Sequence, residues 1–339
     1  MLAVLIVLRI ATLAPPGSAW EKALTHAGNE IASKTSSRVT IQWYPGGAGA
    51  DELDYIKRIK AGQLDGAELT SVGLSTIDPS IALLELPRMF GSIEEYDYVS
   101  AKLWPWLQRT YAGNGFALLA HEDAGAWTWF SVAPIQSIGD LQSSLPWARK
   151  GEPIVAAFYG QLGVTALPME PSNVYGALSV GTINACYGSP LALIALRWST
   201  SVKFELQTAI GYRAGALALD TSALGQISAS DEKIVLREMN RASAKIRSSV
   251  RKEQLDADRA LGKAGIKLVA LDPTFGSMLD AAGAATWTSL AGTLYTTNDL
   301  AMVLKYRGQY RQRHAQAAAS SPRQSTGGGS GSGSGSSTP

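Results

Sequence analysis

Apolar positions in the N-terminal stretch switch between two periods, and the switches outline its elements. An apolar run up to Leu8 continues through Arg9-Ile10-Ala11-Thr12-Leu13-Ala14 and reads as a buried strand entering a loop at Pro15-Pro16. Trp20, Leu24, Ala27, Ile31 and Ala32 form one stripe at helical spacing and predict a helix over residues 20–34. Alternation in Arg38-Val39-Thr40-Ile41-Gln42-Trp43-Tyr44 predicts a strand that stops at Pro45-Gly46-Gly47. A helix over residues 51–61 follows, with Leu53, Ile56 and Ile59 inward, and then a short strand, Asp65-Gly66-Ala67-Glu68-Leu69-Thr70. This order, βαβαβ, implies a parallel sheet with helices on its faces.

The alternation resumes later. Pro153-Ile154-Val155-Ala156 leads through Leu162-Gly163-Val164 to a strand near Ala166-Leu167-Pro168-Met169. A helix over residues 172–178 precedes a strand at Thr182-Ile183-Asn184-Ala185-Cys186-Tyr187. Trp127 to Ser131 and Tyr212 to Leu219 read as buried strands able to cross between two lobes. Residues 231–261 form one long amphipathic helix carrying Ile234, Leu236, Met239, Ile246, Val250, Leu255 and Leu261, its many Lys and Arg residues forming a solvated face. Gly265-Ile266-Lys267-Leu268-Val269 is a last strand before two short C-terminal helices. No fixed-period repeat occurs.

The two ends stand apart from this body. The eight apolar residues before Arg9 are too few for a membrane span, which needs about 20. Two readings fit them: the stub of an export signal trimmed at its start, or a first strand with an apolar extension. The C-terminal Gly/Ser run is a flexible coil, either a native low-complexity tail or an appended linker.

Length and composition sharpen the picture. The 339 residues exceed what one core usually serves, so two domains are expected. With 46% hydrophobic residues the chain has enough apolar surface to fold, which excludes general disorder. A net charge of +2, from Lys+Arg 30 against Asp+Glu 28, leaves no footprint for nucleic acid or an anionic membrane. One cysteine, Cys186, excludes an internal disulfide and any multi-Cys zinc cluster. Nine Trp and twelve Tyr beside three His favour binding over proton transfer.

Catalytic patterns are scarce. His26, His121 and His314 lack a His partner at i+4, so no metal site is expected. His121-Glu122-Asp123 lies along an extended strand, where neighbours face opposite ways, and reads as a solvated strand end. There is no G-x-S-x-G elbow, Walker loop or G-x-G-x-x-G. Pro45-Gly46-Gly47-Ala48-Gly49 lacks the Lys-Ser/Thr of a phosphate cradle, and Asp51-Glu52 would repel phosphate, so it reads as a turn. Cys186 has no basic neighbour to activate it and reads as a buried small hydrophobe.

What is left points to ligand binding. Trp20, Trp43, Tyr44, Trp127, Trp129, Phe158, Tyr187 and Tyr212 fall at predicted strand ends and loops. Each alone is a core residue; as a set they suit an aromatic-walled cleft with a few polar anchors. Arg149, after Pro146-Trp147-Ala148, is either a fork for a carboxylate or an exposed loop residue beside Lys150.

The order of these pieces resembles the periplasmic solute-binding subunit of TRAP transporters, the DctP type. The likeness rests on Ala14-Pro15-Pro16-Gly17-Ser18-Ala19-Trp20, Arg38-Val39 through Tyr44-Pro45-Gly46-Gly47, Ile59 to Ala67, and Leu84-Glu85-Leu86-Pro87-Arg88-Met89-Phe90. Pro134-Ile135 with Asp140-Leu141, Leu162-Gly163, Pro168-Met169, Glu170 to Leu178, Gly181 to Ala185 and Ser189-Pro190 follow in register, so the likeness spans about residues 9 to 310.

The resemblance implies a two-lobed α/β binding protein with an interlobe cleft and hinge strands, closing on a small organic acid. Lobe I is expected over 9–125 with 215–250 returning to it, lobe II over 126–214 with 251–315, and a flexible tail over 316–339. It implies a periplasmic location, TRAP membrane permease subunits as partners, no nucleic acid, no cofactor, no metal and no catalytic residue. The family's ligand-binding Arg follows the Asp-Leu step, and Arg149 is its nearest match. Ser189 stands where the family commonly has Asn before Pro, and Trp127 where a second Arg is frequent. The candidate ligand-binding set is Arg149, Trp127, Trp129, Trp20, Tyr187, Ser189, Tyr212, Thr70 and Phe158. The departures at Ser189 and Trp127 imply an alternative, a larger or more apolar ligand stacked on Trp127 or Trp129. An α/β enzyme would require a nucleophile–base or metal constellation in the cleft.

Overall fold

The computed structural model describes residues 5–46 and 51–320. The Gly47-Ala48-Gly49 part of the expected turn, the first four residues and the Gly/Ser tail lie outside the described residues. The chain opens with β1 (Ile6–Thr12), α1 (Ala19–Lys34), β2 (Val39–Pro45), α2 (Glu52–Lys60), β3 (Gly66–Thr70) and α3 (Ser71–Ile77). A 3-10 turn over Pro79–Leu84 leads to α4 (Ile93–Gly113) and β4 (Phe116–Ser131). Next come α5 (Ile138–Ser143), β5 (Trp147–Arg149), α6 (Pro153–Gln161), β6 (Leu167–Met169), α7 (Pro171–Ser179), β7 (Ala185–Gly188) and α8 (Pro190–Ala195). β8 (Phe204–Leu206), β9 (Gly211–Asp220), α9 (Thr221–Gly225), α10 (Ala229–Lys263), β10 (Lys267–Val269), α11 (Pro273–Ser289) and α12 (Thr297–Ser320) complete it.

β1 pairs in parallel with both β2 and β3, as the βαβαβ order requires. β9 then runs antiparallel beside β3, and β4 antiparallel beside β9, in a sheet ordered β10-β8-β4-β9-β3-β1-β2. β4 serves two lobes. Residues 116–127 pair with β9, whereas residues 128–131 pair with β7 and in part with β8. Beyond β7, the bridge Pro146↔Ala185 attaches the short parallel pair β5–β6. The result is the expected two-lobed α/β architecture, with β4 crossing between the lobes and β9, expected to cross as well, pairing only with β3 and residues 116–127 of β4.

Several elements differ from the sequence reading. The C-terminal helices are not short: α11 has 17 residues and α12 has 24. The strand expected over 182–187 is confined to Ala185–Gly188, because the preceding turn satisfies its own backbone groups. In α10 the buried stripe is Val235, Met239, Ala242 and Ile246, then Ala257 and Leu261, while Leu255 is exposed. Its basic face is not simply solvated either: Arg251 pairs with Asp97 on α4, and Arg247 donates to the His121 carbonyl. Glu122 is buried rather than at a solvated strand end, because α10 covers β4 there.

Each lobe has its own core. Leu74, Leu83, Leu84, Leu86, Tyr96, Leu103 and Leu107 centre the first, and Phe130, Leu141, Val174, Ile183, Cys186 and Leu193 the second. Cys186 is a buried packing residue whose thiol is pushed up by burial. α12 packs on α4, and its Leu300 and Val303 enter the lobe I core. Ile154 of α6 also packs into that core, so the lobes are in contact.

Candidate ligand-binding site

The C-terminal ends of β1 and β3 point to the crevice where ligands of parallel sheets commonly bind. Thr70 ends β3 and caps α3, its Oγ1 accepting from Val72 N at 3.2 Å. Glu52, the first residue of α2, reaches across to this turn. Its carboxylate accepts from Thr70 N and Thr70 Oγ1, both at 2.8 Å, and from Gly73 N at 3.0 Å. Burial raises the Glu52 carboxyl, while these donors and the positive charge of Arg149 from lobe II lower it. Arg149 is thus near enough to Glu52 for its charge to be felt there.

Arg149 ends β5, with its backbone N donating to Tyr187 OH at 3.1 Å. Tyr187 OH in turn donates to Glu152 Oε2 at 2.6 Å. Among the described residues the Arg149 guanidinium has no ion-pair partner within 4.0 Å. It is half-buried and open to a ligand.

Arg213 on β9 is the opposite case. Its Nη1 donates to Glu152 Oε1 at 2.5 Å and to Glu85 Oε2 at 3.1 Å, and Ala214 N donates to Glu85 Oε1 at 2.7 Å. The guanidinium lies 5.5 Å from the Trp127 ring centre and 5.7 Å from that of Tyr187. Burial opposes its charge, but Glu152 and Glu85 outweigh that and raise it further. Glu85 is raised by its own burial, against the pull of Arg213. The triad joins the segment after the first 3-10 turn, β9 and the start of α6, and so ties lobe I to lobe II.

A second carboxyl cluster lies behind Thr70. Trp20 Nε1 donates to Glu68 Oε1 at 2.8 Å, Thr12 Oγ1 donates to Glu68 Oε2, and Glu122 is a further partner. Register places Glu68 and Glu122 on one face of the sheet with Gly215 of β9 between their strands, where a Cβ would stand 3.7 Å from that of Glu122. Two buried carboxyls in hydrogen-bond contact hold a proton between them, and burial pushes Glu68 well above the usual carboxylate range.

The expected site residues therefore divide. Arg149, Tyr187 and Trp127 are linked through Arg213 and Glu152, Thr70 is held by Glu52, and Trp20 is bonded to Glu68. Tyr212 stacks on Tyr96 at 5.0 Å within the lobe I core. Trp129 and Phe158 are stacked in the lobe II core, where Trp129 Nε1 donates to Tyr159 OH at 2.9 Å. Ser189 caps α8, its Oγ accepting from Ala192 N at 3.2 Å. Trp127 and Trp129 are only 2% and 1% exposed, so neither offers a free wall to a large apolar ligand. His121 faces Trp104 and Tyr96 on the far side of β4, its imidazole pushed down to about 3 by burial and by Arg247.

Sequence reasoning missed Glu52, Glu68, Glu85, Glu122, Glu152 and Arg213. A signal existed for three of them: Glu68, Glu85 and Arg213 interrupt runs of apolar or small residues, where a charge needs a partner.

The family model described as "Bacterial extracellular solute-binding protein, family 7" (DctP) matches residues 10–292. The chain belongs to that family. Similar proteins agree with it. An uncharacterized protein of Salmonella typhimurium, YiiZ, is 23% identical over 253 residues, 73% of this chain and 74% of YiiZ. A TRAP periplasmic solute-binding protein from Ochrobactrum anthropi, its C-terminus bound in the ligand pocket, has a similar structure with a TM-score of 0.85 at 16% identity, covering 93% of this chain and 99% of that one. Another, from Chromohalobacter salexigens with bound D-glucuronate, gives 0.77 at 19% identity, covering 89% and 99%. The fold of this family 7 protein is thus that of a two-lobed TRAP receptor, and no helix among the described residues is long and apolar enough to cross a membrane.

Proposed function

We propose that this protein is the periplasmic receptor of a TRAP-type uptake system, binding a small hydroxylated organic acid of the uronate class and delivering it to membrane permease subunits. The reading rests on one observation: the Arg149 guanidinium has no ion-pair partner among the described residues, whereas Arg213 is saturated by two glutamates. A ligand carboxylate meets Arg149 as a two-pronged partner. The negative charges of Glu52, which acts on Arg149, and of Glu152, three residues along the chain, would disfavour a second ligand carboxylate beside it. D-Glucuronate bound in the Chromohalobacter protein supports the same class. Binding requires no bond-breaking step.

We take lobe I as 9–125 with 215–250 and lobe II as 126–214 with the chain from 251 through α11; the packing of α12 on α4 supports placing α12 with lobe I.

Calorimetric titration with D-glucuronate, D-galacturonate and succinate tests the reading. Binding of at least one uronate, with succinate weaker by about tenfold or more, is expected, and Arg149→Ala should reduce uronate affinity about a hundredfold, or about 3 kcal/mol. Undiminished uronate binding by Arg149→Ala would overturn the anchor.

A further inference from the structure

A cavity of about 390 Å³ lies between the second half of α10 and the face of the sheet that α10 covers, with Trp127 among its lining residues and Arg149 outside it. Gln254, Asp258 and Gly262 line it from α10 at four-residue spacing, one turn apart on one face. The sheet supplies Thr128 of β4, Glu205 of β8 and Leu268 of β10. Alternation explains the carboxyl at its floor: Phe204 and Leu206 pack into the lobe II core, so Glu205 between them points the other way, toward α10.

Glu205 is 8% exposed, and its carboxyl has no hydrogen-bond or ion-pair partner among the described residues. The charge that acts on it is a like one, Asp258 across the cavity, and burial and that repulsion push Glu205 up to about 7. Gln207, Thr208 and Thr128 are neutral, and Pro190, Ile266 and Leu268 are apolar. A buried carboxyl facing open space beside a second carboxyl, with no Lys or Arg among the described residues that line it, is unfavourable unless a cation arrives from outside.

We propose that this cavity binds a small organic ammonium compound, its ammonium group between Glu205 and Asp258 and a compact apolar body against Ile266 and Leu268. An ammonium carries three donors for these acceptors. The apolar wall favours an organic cation over a metal ion, and among the described residues no three carboxylate, His or Cys groups converge to hold a metal. The volume is at the small end for ligand sites, which sets the size of the body.

Titration with cyclohexylammonium chloride at about pH 8.5, where Glu205 is ionised and the amine still protonated, tests the site. Its neutral isostere cyclohexanol serves as control. The wild-type protein should bind cyclohexylammonium at least about tenfold more tightly than cyclohexanol, and Glu205→Gln should lose at least about tenfold. Gly262→Phe offers a second variant that leaves both carboxyls intact: no atom stands within 4 Å of a Cβ there, so the ring fills the cavity and should abolish binding. Arg149→Ala, outside this cavity, should bind the amine as the wild type does. No binding by the wild type, equal affinity for cyclohexanol, or full binding by Glu205→Gln would each overturn the proposal and leave the uronate reading untouched.

Discussion

At Arg213 the guanidinium meets Glu85 and Glu152 and lies over two aromatic rings, whereas at Arg149 it meets no carboxylate of the described residues within 4.0 Å. Side-chain chemistry is identical; neighbours decide which one a ligand can use. The family resemblance drew attention to Arg149, which does end a strand after the Asp-Leu step, but nothing local announced Arg213, whose partners lie 128 and 61 residues away. A third case is Glu205, ordinary at 4.5 in an unfolded chain and pushed up to about 7 by burial and Asp258. Its folded value is the higher one, so the folded protein holds the proton more tightly. The contribution of Glu205 to stability is therefore most favourable below about pH 4.5 and is lost as pH rises through about 7. In Glu205→Gln this contribution should disappear while that of Glu68 remains, so the variant should be more stable than wild type at about pH 8 by up to about 3 kcal/mol. Urea denaturation at about pH 5 and pH 8 checks it; equal midpoint shifts in both proteins would refute the assignment.

At the scale of elements, Gly211 at the start of β9 shows how a missing side chain shapes the site. A Cβ there would stand 2.6 Å from Trp127 Nε1 and 3.1 Å from its Cε2, so Trp127 must move. Because Trp127 backs Arg213 and Tyr187, Gly211→Ala should destabilise the protein by about 1–3 kcal/mol and weaken uronate binding as well. Thermal melting and calorimetry on the same variant read both effects, and unchanged values in both would sink this account. The elements that sequence pattern revealed best were β1 to β3 and the helices between them, where period and turn residues agree. Those it missed are set by distant contacts: α4, with Pro105 inside it, mixes aromatic and charged residues because both α12 and β4 pack on it. The aromatic set divided for the same reason, since Trp129 and Phe158 on the one hand and Trp127 and Tyr187 on the other look alike until the sheet assigns them faces.

For the whole molecule, the question is what holds two lobes together when no ligand is bound. Glu85, Arg213 and Glu152 form one such tie, with Ile154 in the lobe I core as another. Glu152→Gln keeps a hydrogen-bonding side chain but removes the charge, which should weaken the tie by about 1–2 kcal/mol, a five- to thirtyfold shift toward open forms. Small-angle scattering of the ligand-free variant should then show a larger radius of gyration than wild type, with a saturating uronate restoring the compact value. An identical radius in both free proteins would mean that the triad does not bias closure.

The ladder of rings running Trp127, Tyr187, Trp147 and Trp198, with neighbouring centres 5.2, 4.6 and 5.1 Å apart, has an optical consequence. It begins on a strand that crosses both lobes, carries the Arg213 charge at its near end, and buries its indoles away from water. A change in the angle between the lobes alters the field that Arg213 and Glu152 impose on Trp127, and with it the colour of its emission. Trp127→Phe should remove most of any ligand-induced shift in the intrinsic fluorescence spectrum, while Trp20→Phe, beside Glu68, should leave it largely in place. The protein thus carries its own lamp for watching itself close, with no added dye.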